Sequence, residues 1–343
     1  MKKHGKWLIS ALVLAMLCLL SVCFAPALFR DETAGPLSPV PTSPVSGTAQ
    51  VPSAPSDVQT LNCRYYVEKD FMASVSVAEK EYAAGSEDSD DGKGSGGNHA
   101  NVAAGDIAGG IVPHHLLAGK LIATFFKTLS ESRPETLIIV APNHKRLGHN
   151  GLNTSLLDWS TPFGILKTDS EAVNKVVSGM NASLSNDLFE KEHSISSLVP
   201  YIKYYMPDVK IVPVLLHGNY TADNAQKLGK LLSTELTASK KTVLIASVDF
   251  SHYLDAATAR QMDEKTLKAI RSFDFQGLSH MGNDNVDSPP SIITLLSAMK
   301  EAGASAPEVT AHGNSSDISG ESYNYTTSYY TMFFKRPISP SPS

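Results

Sequence analysis

Cysteine is scarce in this chain. Of its three cysteines, Cys18 and Cys23 lie in an apolar N-terminal segment, and only Cys63 belongs to the part predicted to be soluble. That part therefore cannot hold an internal disulfide framework, and the sequence contains no Cys-x-x-Cys pattern for zinc. A metal site in this chain would have to be built from histidine and carboxylate side chains.

Basic charge and several enzyme motifs are also lacking. The net charge is −5, so the composition does not predict a nucleic-acid-binding surface. A Gly-x-Ser-x-Gly elbow, a phosphate-binding loop and a dinucleotide-binding glycine pattern are all missing, which removes the usual marks of serine hydrolases and nucleotide-binding proteins. Hydrophobic residues make up 42% and charged residues 18%, a balance that allows a sizeable core.

The N-terminal residues 1–29 predict a targeting segment. Lys2, Lys3 and Lys6 precede Trp7–Phe24, an uncharged apolar run of 18 residues that is just long enough to span a bilayer. We rank an uncleaved signal anchor first, a cleaved signal peptide second and a lipoprotein signal third. The basic flank should stay inside, which predicts a membrane-anchored or secreted, extracytoplasmic protein.

Composition divides the remainder of the chain. Residues 30–57 are rich in proline and serine and predict an extended linker. Residues 58–336 are predicted to form the folded domain, with an acidic, glycine- and serine-rich disordered loop at 85–105. Residues 337–343 remain as a tail.

Apolar runs within the domain alternate with helical patterns. The runs Thr136–Ala141, Lys210–Leu216 and Thr242–Ser247 each predict a buried strand, and the shorter run Ile107–Val112, broken by glycines and ending at Pro113, predicts another. Helical patterns are found at residues 116–129, 194–205, 221–236, 257–271 and 291–301, and an aromatic strand is expected at 323–334. This alternation predicts an α/β fold with a mostly parallel central sheet flanked by helices on both faces.

Histidines follow the ends of three predicted strands. His114 comes after Val112, His144 after Ala141, and Asp249 and His252 after Ser247. Because ligands bind at the carboxyl ends of parallel strands, these side chains could meet in one crevice. One histidine after a strand is usually a turn or capping residue, but its threefold recurrence makes a metal or acid–base site an equal alternative. Imidazole suits iron, zinc, copper or nickel.

Glu192, His193 and Ser194 precede a predicted helix. They could supply an acid–base histidine with a hydrogen-bonding hydroxyl, or they could only cap the helix. The sequence leaves both interpretations open.

Five ordered motifs over residues 106–335 resemble the Memo-like family, also called AmmeMemoRadiSam system protein B. They are IVPHHLLAGK, IIVAPNHK, TPFGILKTD, EHSISSLVPYIKYYMPDVKIVPVLL and IASVDFSHYL. The family is similar in fold to class III extradiol, LigB-type dioxygenases, which hold Fe(II) with two histidines and one carboxylate. The resemblance implies that His114 and His144 are the pocket histidines and that Asp249 and His252 are a further pair. It places a third metal ligand at Asp287, with Asp284 as the alternative.

The resemblance implies a divalent metal, Fe(II) in the first place with copper or zinc as alternatives, and dioxygenase-like chemistry on a small molecule or peptide. Asp249 would orient a histidine, and His193 or His252 would serve as the acid–base group. Ser196 and Leu198 stand where the family commonly has polar residues. This loss favours an alternative, a non-catalytic ligand- or peptide-binding module, and a zinc-dependent hydrolase is a third reading. The remaining expected partner is the membrane, through the N-terminal segment.

Overall fold

The computed structural model describes residues 59–87, 107–148, 150–321 and 324–337. The predicted targeting segment and linker lie outside this part, as do most of the predicted 85–105 loop and all of the tail except Pro337, so the predicted domain boundaries stay predictions. The first three loop residues belong instead to the end of a helix. Within the described ranges, none of the helices combines the length and the apolar character needed to cross a bilayer.

Apolar and β-branched runs form the strands, as their propensities favour. In chain order the described strands are β1 (Leu61–Asn62), β2 (Ile107–Val112), β3 (Thr136–Pro142), β4 (Leu152–Thr154), β5 (Trp159–Thr161), β6 (Gly164–Thr168), β7 (Ser183–Leu184), β8 (Lys210–Leu216), β9 (Thr242–Ser247), β10 (His252–Leu254), β11 (Glu308–Asn314) and β12 (Thr326–Lys335).

Helices separate these strands. The described helices are α1 (Glu68–Glu87), α2 (Gly119–Ser130), α3 (Ser170–Met180), α4 (Asn186–Lys191), α5 (His193–Ser196), α6 (Val199–Tyr205), α7 (Ala222–Ala238), α8 (Ala256–Arg271), α9 (Phe275–Ser279), α10 (Pro289–Glu301) and α11 (Ser315–Ser319). The helix predicted at 194–205 is therefore two helices, α5 and α6. Pro200 lies in the first turn of α6, where its missing N–H costs nothing.

One sheet contains the described strands, and its centre is parallel. Strands β8, β3, β9 and β2 lie side by side in that order, all parallel. Strand β12 pairs antiparallel with β2, β10 and β11, and β4 pairs antiparallel with β8. The predicted α/β fold is confirmed, with antiparallel margins that the strand runs alone did not indicate.

Helices cover both faces of this sheet. Along β3, Ile138 and Val140 belong to the core that includes Leu228 of α7, whereas Leu137 and Ile139 belong to the core of α1 and α2. A strand buried on both sides needs apolar residues at every position, which explains the continuous runs. With both faces covered, the strand ends are where a crevice can form.

Strand β9 brings three chain segments to that crevice. It lies between β3 and β2, with Val112 paired to Ser247 and Val140 paired to Ala246. The residues that follow these three strand ends therefore emerge next to one another.

Candidate metal centre

His114 follows β2, and its side chain is only 1% exposed. Its Nδ1 lies 3.2 Å from the hydroxyl oxygen of Ser247, and that hydroxyl donates its own proton to the Ser194 carbonyl at 2.6 Å. The Ser247 oxygen can therefore only accept from the ring, so Nδ1 of His114 carries a proton. In the neutral ring this leaves a free lone pair on Nε2.

His144 follows β3, and its ring is oriented by a carboxylate. Its Nδ1 lies 2.9 Å from Oε1 of Glu192, which as a carboxylate can only accept. Nδ1 of His144 is therefore the protonated nitrogen, and Nε2 of the neutral ring points its lone pair the other way. A carboxylate behind a histidine is the arrangement that orients imidazole ligands of metals.

Glu192 has two roles in the structure. Its side chain is 1% exposed, and it accepts hydrogen bonds from the backbone N–H groups of His193 and Ser194 at the start of α5. Helix capping, one of the two interpretations of the sequence, is therefore observed, but the cap is Glu192, and Ser194 lies within α5. The same carboxylate also holds His144, a link between the second and fourth motifs that chain spacing did not indicate.

Asp287 is the meeting point of the two imidazoles. Its Oδ2 lies 3.3 Å from Nε2 of His114 and 3.4 Å from Nε2 of His144, and its side chain is 5% exposed. Two ligands about 2.1 Å from one metal ion, at tetrahedral or octahedral angles, are about 3.0–3.4 Å apart. Both nitrogen–oxygen distances therefore fit pairs of ligands around a single ion.

A second feature of Asp287 supports this fit. Its Oδ1 is buried and has no hydrogen-bond partner among the described residues. A buried carboxylate oxygen without a partner is costly, and a cation would satisfy it. The structure thus shows a His/His/Asp group that could hold a metal ion.

The pKa values at this centre show that it favours an added positive charge. Burial lowers the pKa of His144, but hydrogen bonds to Asp287 and Glu192 outweigh it and raise that pKa to about 10. Burial raises the pKa of Asp287, yet its hydrogen bond to His144 and the charge of His114 hold it below its usual range. Burial lowers the pKa of His114. One added cation, a proton or a metal ion, compensates the carboxylates.

Asp249 connects the loop after β2 to Asp287 through hydrogen bonds. Its Oδ1 accepts the backbone N–H groups of His114 at 3.1 Å and His115 at 3.4 Å, and its Oδ2 lies 3.5 Å from Nε2 of His114. The backbone of Asp249 also exchanges hydrogen bonds with Asp287. Two sets of side chains among the described residues have ligand atoms within 4.8 Å of one another: His114, Asp249 and Asp287 form one, and His114, His144 and His193 form the other.

His193 adds a third imidazole. Its ring stacks on His144 with centroids 4.6 Å apart and lies 5.2 Å from the ring of His114. Its Nδ1 lies 3.2 Å from Oε1 of Glu192, and its side chain is 37% exposed. His193 therefore contacts both the centre and solvent, as a proton carrier must.

His252 and Asp284 lie outside these hydrogen bonds, although the charge of His252 helps to lower the pKa of Asp287. His252 begins β10, and its Nδ1 is buried without a hydrogen-bond partner among the described residues. Within that part of the chain, no hydrogen bond or ion pair joins its ring to His114, His144 or Asp287. Asp284 is exposed in the loop before Asp287. Of the two candidate aspartates, Asp287 is the one that the fold brings to the histidines.

Ser247 and Glu192 are the supporting residues whose contacts with the imidazoles the sequence did not predict, although Glu192 was named as part of the acid–base or capping cluster. Both are buried polar residues, and each fixes the proton on one imidazole. The available signal was a polar side chain directly at a strand end or helix start, next to a candidate ligand.

Known proteins resemble the chain across this centre. A family model described as Memo-like protein matches residues 100–333. A MEMO1 family protein of Methanosarcina mazei is 31% identical over 226 residues, covering 63% of this chain and 82% of that protein. A MEMO1 family protein of Pyrobaculum aerophilum is 30% identical over 241 residues, covering 68% and 85%. A solved structure of an uncharacterized protein from Escherichia coli K12 aligns with a TM-score of 0.47 and 13% identity, covering 66% of this chain and 99% of that one.

Proposed function

The chain belongs to the Memo-like protein family, and on this basis we propose that it binds one divalent metal ion through His114, His144 and Asp287. Fe(II) is our first choice, with copper or zinc as alternatives. Two histidines and one carboxylate are the donor set of non-haem Fe(II) oxygenases, which the family resembles in fold.

One observation carries this proposal. In their neutral forms, His114 and His144 both turn an Nε2 lone pair toward the same oxygen of Asp287, at 3.3 and 3.4 Å, and a metal ion would take the place of the proton that the raised pKa of His144 retains there. Their protons are held on the opposite side of each ring, by Ser247 and Glu192. Three acceptors in mutual contact repel one another unless a cation lies between them.

The proposed chemistry is O2-dependent oxidation of a small molecule or peptide. With three protein ligands, iron would keep positions open for O2 and substrate. In ring-cleaving dioxygenation one carbon–carbon bond breaks and both oxygen atoms enter the product, so no external reductant is needed. His193 is our acid–base candidate because Glu192 holds its Nδ1, which leaves Nε2 to exchange a proton.

We further propose that this chemistry takes place outside the cytoplasm. The support is the pattern of Lys2, Lys3 and Lys6 before the apolar run Trp7–Phe24. Fractionation of cells that express the full-length chain, compared with a chain lacking residues 1–29, tests it. Recovery of both proteins in the cytoplasm would refute this part of the proposal alone.

A second candidate function is a non-catalytic ligand-binding module. It is favoured by Leu198, which lies in the apolar core, and by Ser196, whose hydroxyl oxygen is buried without a hydrogen-bond partner among the described residues. Neither residue offers a polar group to a substrate. In this version the pocket holds a ligand and no turnover follows.

The test of the main proposal is metal retention. Full-length protein is loaded anaerobically with Fe(II), Cu(II) or Zn(II) in separate samples, desalted, and analysed by mass spectrometry for metal content. We expect about one ion per chain, lost in the His114→Ala, His144→Ala double variant. His280→Ala is the matched control, because His280 is exposed and, among the residues that the structure describes, its Nδ1 is hydrogen-bonded only to the helix carbonyl of Gln276 and the hydroxyl of Ser279.

Which metal the protein retains distinguishes the candidate functions. Retention of Fe(II) together with a nitric oxide adduct visible by electron paramagnetic resonance supports an open iron site. Tight retention of Zn(II) alone favours hydrolysis. If the wild-type protein retains none of the three metals, the proposal fails, and ligand binding that survives chelation then favours the binding module.

A further inference from the structure

A cavity of about 710 Å³ adjoins the metal centre. Asp287 forms part of its wall, and the remaining lining comes from the loops after β3 and β8, from the beginnings of α7 and α10, and from the segment between the end of α9 and Asn283. This volume is typical of a small-molecule site. The polar groups that line it decide what kind of molecule fits.

Arg146 is the one cationic side chain in this lining that is charged at every working pH. It is exposed, and among the described residues its guanidinium makes no hydrogen bond or ion pair. Its backbone has a φ of 51°, a left-handed conformation that an arginine adopts only at a conformational cost. A strained residue that presents an unpaired charge to a cavity indicates a functional position.

Neighbouring groups in the lining are also hydrogen-bond donors. The Nδ1 of His217 accepts the backbone N–H of Asn219 at 3.3 Å, so in the neutral ring Nε2 carries the proton. Burial raises the pKa of Tyr220 to about 12, which keeps its hydroxyl protonated. Donors of this kind suit an acceptor-rich ligand.

The start of helix α7 adds positive potential. Thr221 caps this 17-residue helix, and both Thr221 and Ala222 line the cavity. The N-terminus of a helix attracts negative charge. Asp287 is the one carboxylate among the described lining residues, and it is engaged with the two imidazoles of the metal centre. Apart from Asp287, the lining residues carry no carboxylate, and Arg146 gives them a positive charge; Asp223 lies in the first turn of α7 but is not part of the lining.

From this distribution we propose that the cavity binds the oxyanion group of a small organic acid, a carboxylate or a phosphate, with Arg146 as the principal contact. The planar guanidinium can bind either group with two parallel hydrogen bonds. The remainder of the molecule extends toward Asp287, which presents it to the metal centre. This last step rests on the proposed function, whereas oxyanion binding does not.

The first test uses the metal-free, full-length protein. Benzoate, phenyl phosphate and the neutral analogue benzamide are titrated by calorimetry, and the two acids distinguish a carboxylate site from a phosphate site. We expect at least one acid to bind about tenfold or more tightly than benzamide, and Arg146→Gln to abolish this preference. Binding of benzamide equal to that of both acids would overturn the proposal.

Arg133→Gln is the matched control. Arg133 is also an exposed arginine with a left-handed backbone, φ 48°, but it precedes β3 at the opposite end of the strand from His144. We expect this variant to bind the acids as the wild type does. Equal losses in the Arg133 and Arg146 variants would mean that general surface charge, and not the cavity, attracts the acids, and would also overturn the proposal.

The second test asks whether the bound acid lies next to the metal centre. Mn(II)-loaded protein should broaden the proton resonances of the bound acid, and Arg146→Gln should remove the broadening. If metal is not retained but acid binding still depends on Arg146, the proposed function fails and the oxyanion site stands. If metal is retained and neither acid binds selectively, the oxyanion site fails and the proposed function stands.

Discussion

Two buried aspartates, Asp263 and Asp287, lie next to histidines, but among the described residues only Asp263 has a hydrogen-bond partner for both carboxylate oxygens. Asp263 is fully buried, and its Oδ1 accepts the Ser251 hydroxyl at 2.6 Å while its Oδ2 lies 2.9 Å from Nε2 of His312. Asp287 is also buried, but its Oδ1 has no hydrogen-bond partner among the described residues. Its Oδ2 faces the ring nitrogens of His114 and His144.

The difference lies in where the protons are. His312 can present an N–H to Asp263, and it stacks on Tyr330 with centroids 4.0 Å apart, so this pair is complete by itself. At Asp287 the ring protons are held on the far sides of the imidazoles. Residue types alone do not distinguish the two sites, whereas the number of protons that the neutral groups can share does: Asp263 needs no added cation, and Asp287 with its two neutral imidazoles does.

The largest expected effect on metal affinity is that of a substitution at Asp287. Asp287→Asn should weaken metal binding by more than about 100-fold, beyond the loss typical of a residue that only orients a ligand. Competition with a metal-sensitive dye measures the change. Asp284→Asn is the control, since Asp284 is exposed three residues earlier. Equal losses in both variants would remove Asp287 from the ligand set.

A substitution at Asp263 should lower stability and leave metal binding unchanged. Asp263→Asn breaks a complete pair in the core, and we expect the free energy of unfolding to fall by about 2–3 kcal/mol. Metal content per chain should stay as in the wild type. Urea unfolding and metal analysis of the same sample measure the two quantities. Loss of metal without loss of stability would contradict the comparison.

A smaller effect is expected at Ser247, which fixes the proton on His114. Ser247→Ala removes this acceptor, so the ring can rotate or change tautomer, and metal affinity should fall about 10-fold. The same dye competition measures it, with Ser272→Ala on the exposed end of α8 as the control. An unchanged affinity would show that the tautomer of His114 is set by other contacts.

A substitution at Cys63 is expected to have the smallest effect on metal binding. Its Sγ lies 3.6 Å from the carbonyl oxygen of Ser196, and burial raises the pKa of the thiol to about 11. Because this pKa is raised, the thiol stays protonated below about pH 11 and donates a weak hydrogen bond. Cys63→Ser should therefore leave metal content unchanged.

The raised pKa of Cys63 predicts that its thiol is alkylated slowly. At pH 8 the thiolate fraction of Cys63 is about 100-fold lower than that of an ordinary cysteine, and it rises with pH up to about 11. Iodoacetamide labelling, followed by mass spectrometry of the Cys63 peptide, measures the rate. Rapid labelling at pH 8, together with loss of metal in Cys63→Ser, would identify the thiolate as a ligand.

Much of the fold could be predicted from local patterns. The runs Lys210–Leu216 and Thr242–Ser247 coincide with β8 and β9, because a strand covered on both faces must be apolar throughout. The antiparallel partners of β12 were not predicted, since β10 and β11 have partly exposed, polar residues without a clear alternation. The pairing of such strands is decided by tertiary contacts.

The candidate site could be predicted in part. Placing His114 and His144 at strand ends followed from the parallel sheet, and Asp287 came from the family resemblance alone. The roles of Glu192 and Ser247 could not be predicted, because they depend on hydrogen-bond directions between residues far apart in the chain. Arg146 was missed since nothing in its neighbourhood of the sequence shows that it borders a cavity.

The spacing of the three ligands along the chain has a consequence for biosynthesis. His114 and His144 leave the ribosome early, but the centre cannot close until Asp287 has been made and β9 has entered between β3 and β2. A nascent chain that stops short of this point offers a metal only two loosely held imidazoles. Under the proposed function, metal binding therefore requires the completed sheet, and the ion would be acquired in the compartment where that last folding step takes place.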